Sequence, residues 1–74
     1  MNIGENLKYL RTQKGKTQKE IANILKIATN TYTQYETNYR KPDIETLIKL
    51  ADYYLVSLDI LVGRIKFSNI EKAV

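Results

Sequence analysis

The chain has 74 residues with no Cys and no His, and its 12 basic and 8 acidic side chains leave a formal net charge of +4. Such a length makes one small domain with a modest core, and without Cys or His there is no disulfide, no thiolate zinc site and no imidazole for acid–base work. The charge is lopsided: residues 1–42 carry eight basic and three acidic groups, residues 43–74 four and five, so a polyanion would dock on the first half.

Apolar spacing predicts five helices and no strands. Asn2 followed by Glu5 has the form of a capping box, and Ile3, Leu7 and Leu10 recur on one helical face until Gly15 ends the first helix. Thr17 with Glu20 repeats the box for a second helix, whose buried side is Ile21, Ala22, Ile24 and Leu25. Residues 29–37, TNTYTQYET, look like a strand by local propensity, since Thr and Tyr suit a pleated surface. On a helical wheel, however, Ile27, Tyr32, Tyr35 and Tyr39 gather on one side and Thr29, Asn30, Thr33, Gln34 and Thr37 on the other. With no second strand-like run to pair with, the segment is predicted as a third helix over about residues 28–37, burial of the tyrosines overriding poor propensity. Pro42-Asp43 opens a fourth helix with a stripe of Ile44, Leu47, Ile48, Ala51 and Tyr54 or Leu55. Ser57 caps a short fifth helix containing Leu58, Leu61 and Val62, and Gly63 ends it. Residues 1–63 are thus expected to form a compact all-α domain, and residues 64–74 a tail with Ile65, Phe67, Ile70 and Val74 as its apolar content.

The outward face of the third helix carries no charge. A face meant only for water is usually written with Glu and Lys, which are better helix formers than Thr and Asn. Asn and Gln present a donor beside an acceptor, which matches an adenine edge in the major groove, and Thr adds a hydroxyl and a methyl that can meet thymine's methyl. Thr29, Asn30, Thr33 and Gln34 are therefore candidate base-reading residues. No phosphate-cradling glycine loop and no convergent carboxylate pair is evident, so the chain is not expected to be an enzyme, and nothing calls for a cofactor or a small-molecule ligand. No apolar run spans a membrane and the N-terminus lacks a signal-peptide pattern, so a soluble cytoplasmic protein, associated with the nucleoid, is expected. The abundance of Lys, Asn, Ile and Tyr, all with A/T-rich codons, points to a low-GC bacterium or one of its phages.

Arg11, Thr17-Gln18, Glu20, Ile21-Ala22, Glu36, Pro42, Leu47, Leu50-Ala51, Ser57-Leu58-Asp59 and Leu61 form a spaced set over residues 3–63. Each short motif is weak alone; the set resembles the Cro/C1-type (XRE) helix-turn-helix family. The resemblance implies a lambda-repressor-like bundle of five helices, with the second and third as the helix-turn-helix and the third in the major groove. It implies base reading by Thr29, Asn30, Thr33 and Gln34, and backbone contacts from Lys14, Lys16, Gln18, Asn38, Tyr39, Arg40 and Lys41, with Gln18 also able to buttress a reading residue. Arg11 and Glu36, which could each touch DNA, are implied instead to form a structural salt bridge. The sequence departs from the family where glycines usually end helices two, three and four: Lys26, Asn38 and Leu55 stand there, which puts the usual turn geometry in question. Ala28 replaces the usual Ser or Thr cap, leaving Thr29 as an alternative cap, and Ile60 replaces a commonly polar residue.

The leading function is a sequence-specific DNA-binding regulator, a repressor acting on a short palindrome in double-stranded DNA as a homodimer. The alternative is an antitoxin-like or other protein-interaction module in which DNA binding is secondary. Ile60, Val62, Ile65 and Phe67 supply apolar surface for a dimer interface on helix five and the tail, unless Phe67 and Ile70 fold back on the first helix.

Overall fold

The computed structural model describes residues 2–64, and five helices lie among them: α1 (Ile3–Gln13), α2 (Gln18–Leu25), α3 (Thr29–Glu36), α4 (Ile44–Tyr54) and α5 (Leu58–Leu61). Ile65, Phe67, Ile70 and Val74, and with them the tail's part in a dimer contact or a fold-back, lie outside the described residues.

Four of the five helix starts are fixed by a side chain. Asn2 accepts from the Glu5 N–H at 3.0 Å, Asp43 from that of Thr46 at 3.1 Å and Ser57 from that of Ile60 at 3.2 Å. Thr17 accepts from Glu20 N–H while Glu20 Oε1 accepts from Thr17 N–H, a complete capping box. The exception is α3: Ala28 is its N-cap and offers no side-chain bond, while Thr29 is already the first helical residue and does not cap.

The helix ends share one geometry. A residue with positive φ follows each helix, and the next N–H reaches back five residues, as Lys16 does to Arg11, Ile27 to Ala22, Tyr39 to Gln34, Val56 to Ala51 and Arg64 to Asp59. Gly15 and Gly63 adopt this conformation freely, but Lys26, Asn38 and Leu55 hold it with φ of 59°, 62° and 56°. The turns keep the left-handed conformation without glycine, at roughly 1 kcal/mol for Lys26 and for Leu55.

Each helix sends a large, fully buried side chain to the centre, Leu7, Ile21, Tyr32, Leu50 and Leu61, and α2 adds the smaller Ala22. Around them α3 packs on α1 and α2, α2 reaches α4, and α5 sits on α4 and α1. Asn6 Nδ2 donates to the Leu61 carbonyl at 3.2 Å, tying the end of α5 to α1. The weakest segment by propensity is held hardest by packing: Tyr32 and Tyr35 are both buried and meet edge to face with ring centroids 6.4 Å apart.

Several expected core positions are at the surface instead. Ile24 is 45% exposed because Ile21, Ala22 and Leu25 already fill the inward side of α2. On α4 the inward line runs through Leu47, Leu50, Ala51 and Tyr54, which leaves Ile44 and Ile48 on its shoulder, exposed. Leu55 is 88% exposed, since its left-handed backbone turns the side chain away from the bundle. Tyr39 is 80% exposed because α3 has ended three residues earlier and the wheel no longer applies.

Leu55→Gly should stabilise the domain by up to about 1 kcal/mol. Relief of the left-handed strain exceeds the added freedom of the unfolded chain, and an exposed side chain sacrifices no packing. Urea unfolding should show a higher midpoint with unchanged slope.

Candidate nucleic-acid interface

The exposed side of α3 is positioned from beneath by charge. Glu36, at the last position of the helix, is only 8% exposed. Arg11 of α1 donates to it twice, from Nε to Oε2 at 2.6 Å and from Nη2 to Oε1 at 3.1 Å, and Gln18 Nε2 donates to Oε1 at 3.0 Å. The third arm of the guanidinium, Nη1, donates to the Lys16 carbonyl at 2.9 Å, so Arg11 also fixes the loop between α1 and α2. Gln18 Oε1 in turn accepts from the Thr33 hydroxyl at 2.7 Å. One chain of hydrogen bonds therefore runs from Arg11 through Glu36 and Gln18 to Thr33, crossing three helices.

Burial opposes the charge on Glu36, but the bonds from Arg11 and Gln18 and the guanidinium charge outweigh it and hold the carboxyl below its usual range. The bond from Glu36 raises the Arg11 pKa in the same way, against the pull of burial. The hydroxyls of Tyr32 and Tyr54 are buried without a partner at hydrogen-bonding geometry. Burial raises the Tyr32 pKa well above the phenol range and pushes Tyr54 up to about 12, so both stay neutral near pH 7.

A second tether joins the far end of α3 to the start of α1. Asn38 Oδ1 accepts from the Gly4 N–H and its Nδ2 donates to Asn2 Oδ1, both at 2.9 Å. Gly4 is buried, and a Cβ there would collide with the Glu36 carbonyl. Nothing in the local pattern marks Gly4: it is an ordinary residue of a first helical turn, and its role comes from a neighbour far along the chain.

The structure groups the sequence candidates unevenly. Thr29 and Asn30 are exposed on the first turn of α3, and Thr33 and Gln34 are half-buried one turn on. Tyr39, Arg40 and Lys41 are exposed beyond its end. Both polar atoms of the Gln18 side chain bond inside the protein, which leaves the second hydrogen of Nε2 and the backbone N–H, in the first turn of α2, to meet a phosphate. The Asn38 side chain is likewise occupied by α1. The Lys14 ammonium lies 4.5 Å from the centre of the Tyr53 ring of α4, a cation–π contact that sequence reasoning missed because the two residues share no spacing pattern. Lys16 stands 3.9 Å from Glu20, one helical turn on, an exposed and weak pair. Ile60 and Val62 are half-buried.

Two short helices joined by the turn Lys26–Ile27–Ala28, the second with an exposed uncharged polar side, form a helix-turn-helix. The family model described as Helix-turn-helix matches residues 7–61. The chain belongs to the Cro/C1-type helix-turn-helix family.

Among its relatives in the family, the HTH-type transcriptional regulator ImmR of Bacillus subtilis is 46% identical over 69 residues, covering 93% of this chain and 54% of that protein. The HTH-type transcriptional regulator AnsR of the same organism is 41% identical over 66 residues, covering 89% and 56%. A cryptic phage CTXphi transcriptional repressor, RstR of Vibrio cholerae, is 38% identical over 64 residues, covering 86% and 57%. The crystal structure of a transcriptional regulator from Listeria innocua superposes with a TM-score of 0.81 at 41% identity, covering 86% of this chain and 60% of that one. The chain thus spans a little over half the length of the curated relatives it matches. No helix among the described residues is long and apolar enough to cross a membrane.

Arg11→Met and Glu36→Leu should each lower stability by about 3–5 kcal/mol, because each strands a buried charge. The double variant should recover much of that loss. A double-mutant cycle from denaturant unfolding measures the coupling, and additive losses would sink the structural role of the pair.

The same pair sets an acid limit. The folded Glu36 carboxyl holds its proton less tightly than the unfolded one, whose ordinary value is 4.5. Its stabilisation is therefore complete above that value and is lost as pH falls toward the folded pKa. Glu20 and Asp43, also lowered, by the cap bonds to Thr17 and Thr46, titrate in every variant. The melting temperature of the parent should thus fall more steeply below about pH 4.5 than that of the Arg11→Met, Glu36→Leu protein.

Proposed function

We propose that this chain is the operator-binding part of a transcriptional repressor, reading a short palindrome in double-stranded DNA by placing α3 in the major groove. The observation that carries the reading is the uncharged outward face of α3, with Thr29 and Asn30 exposed and Thr33 and Gln34 half-buried, mounted on a buried salt bridge that fixes its orientation. Those four side chains take the base edges. Backbone phosphates are met by Lys14, Lys16, Arg40 and Lys41, by Tyr39, and by Gln18 at the start of α2. Support comes from the basic first half of the chain and from relatives that are named transcriptional regulators and, for RstR, a transcriptional repressor. The working unit is a homodimer, since two half-sites about 34 Å apart on one face of the duplex demand a two-fold axis off the DNA surface. Ile60 of α5 and Val62 just after it, with Ile65 and Phe67, are its proposed contact.

Selection of bound duplexes from a random pool tests the reading, and a two-fold symmetric enriched site is the expected result. On that site Asn30→Ala or Gln34→Ala should weaken binding by about 1–3 kcal/mol and barely affect random duplex. Lys41→Ala should weaken both alike and make the salt dependence shallower by about one ion. Equal loss on both DNAs from Gln34→Ala would show that α3 is not the reading helix.

A further inference from the structure

Thr33 is the one residue of the proposed reading surface that is also bonded into the protein's interior, and the direction of that bond is fixed. Glu36, ionised and gripped by Arg11, can only accept. The Gln18 amide must therefore turn its NH2 toward Glu36, which leaves its oxygen facing Thr33. An amide oxygen can only accept, so the Thr33 hydroxyl must donate its single hydrogen inward. What remains for a partner outside is a lone pair on Oγ1 and the Cγ2 methyl.

We infer that Thr33 meets DNA as an acceptor and a methyl group only, and so rejects guanine on the strand it faces. This rests on the DNA-reading role proposed above for α3. Guanine shows two acceptors, N7 and O6, in the major groove, and a hydroxyl that cannot turn its hydrogen outward sets a lone pair against them. Adenine and cytosine offer an amino hydrogen to the lone pair, and thymine offers a methyl to the methyl. Gln18 is thus a positioning residue for specificity: it acts on the sequence read without touching a base. A threonine with a free hydroxyl has no such bias, because its hydrogen rotates to suit either kind of edge.

The test is base preference, position by position, in duplexes selected from a random pool by the parent and by Gln18→Met, Thr33→Ser and Thr33→Val. The Thr33 position is the one whose preference changes in Thr33→Val. There the parent should deplete guanine about tenfold relative to adenine or cytosine. Gln18→Met removes the inward acceptor and frees the hydroxyl, so guanine should recover to within about twofold of them, with other positions unchanged. Thr33→Ser should keep the guanine gap and lose the preference for thymine, whereas Thr33→Val should close the gap and keep thymine. In the Thr33→Val background, Gln18→Met should change nothing further at that position. Should Gln18→Met fail to fold, the serine and valine variants decide alone, and a gap that survives in Thr33→Val overturns the inference. So does a Gln18→Met profile identical to the parent's, or a uniform loss on all sequences, which would make Gln18 a phosphate contact. A parent that enriches no site at all overturns the DNA-reading proposal, and this inference with it; a parent with a clear site that accepts guanine there overturns this inference alone.

Discussion

Glu36 brings α1, α2 and α3 to a single point, and the orientation of α3 depends on its two-pronged bond to Arg11. Taking both charges out of water is expensive, and such a pair is weak as a source of net stability. Its physical effect here is geometric. The guanidinium fork fits the carboxylate in one orientation, its third nitrogen holds the Lys16 carbonyl, and the free lone pair of the carboxylate orients Gln18. An apolar contact at the same place would tolerate rotation and sliding of α3 over α1; the ion pair does not.

That constraint matters because α3 cannot form by itself. It has eight residues, a sequence of strand-like propensity and no side-chain cap at its start, and helices so short are unstable in water even with good formers. Its helicity is a product of docking: Tyr32 and Tyr35 bury against the other helices, Glu36 pins one end, and the Asn38–Gly4 clasp closes the connection to α1. Both tethers reach α1 from far along the chain, so the helix-turn-helix is not an autonomous pair. The first helix is as much its support as the turn is.

Helix number, order and ends were legible in the sequence because they are written locally. Thr17, Asp43 and Ser57 cap as their positions suggest, and the period of the tyrosines outweighed the strand propensity of TNTYTQYET. Which residue of an apolar stripe lies deepest was less legible. Ile24, Ile44 and Ile48 have the right period but sit on the shoulder of their helices, and depth depends on the angle at which a neighbour packs, which periodicity does not encode. Substitution of glycine at Lys26, Asn38 and Leu55 left the turn geometry open in sequence; the backbone resolves it by accepting strain at Lys26 and Leu55, where hydrogen-bonded closure of the helix end outweighs it. At the candidate site, the polar face of α3 follows from its period. The engagement of Gln18 with Thr33, of Asn38 with Gly4 and of Lys14 with Tyr53 does not, since each joins residues on different elements.

The two sides of α3 are nearly independent in what they demand. Tyr32, Tyr35 and Glu36 face the bundle, and exchanging any of them disturbs packing or strands a charge. Thr29 and Asn30 face outward and are exposed, with Gln34 half-buried one turn on. Outward side chains of this domain can therefore change while the scaffold beneath stays put. Thr33 is the exception, wired through Gln18 to the charge below, so a change there is felt by the scaffold and a change in the scaffold is felt there. Divergence along the outward face of α3 should be least free at the position that looks, by composition, no different from its neighbours.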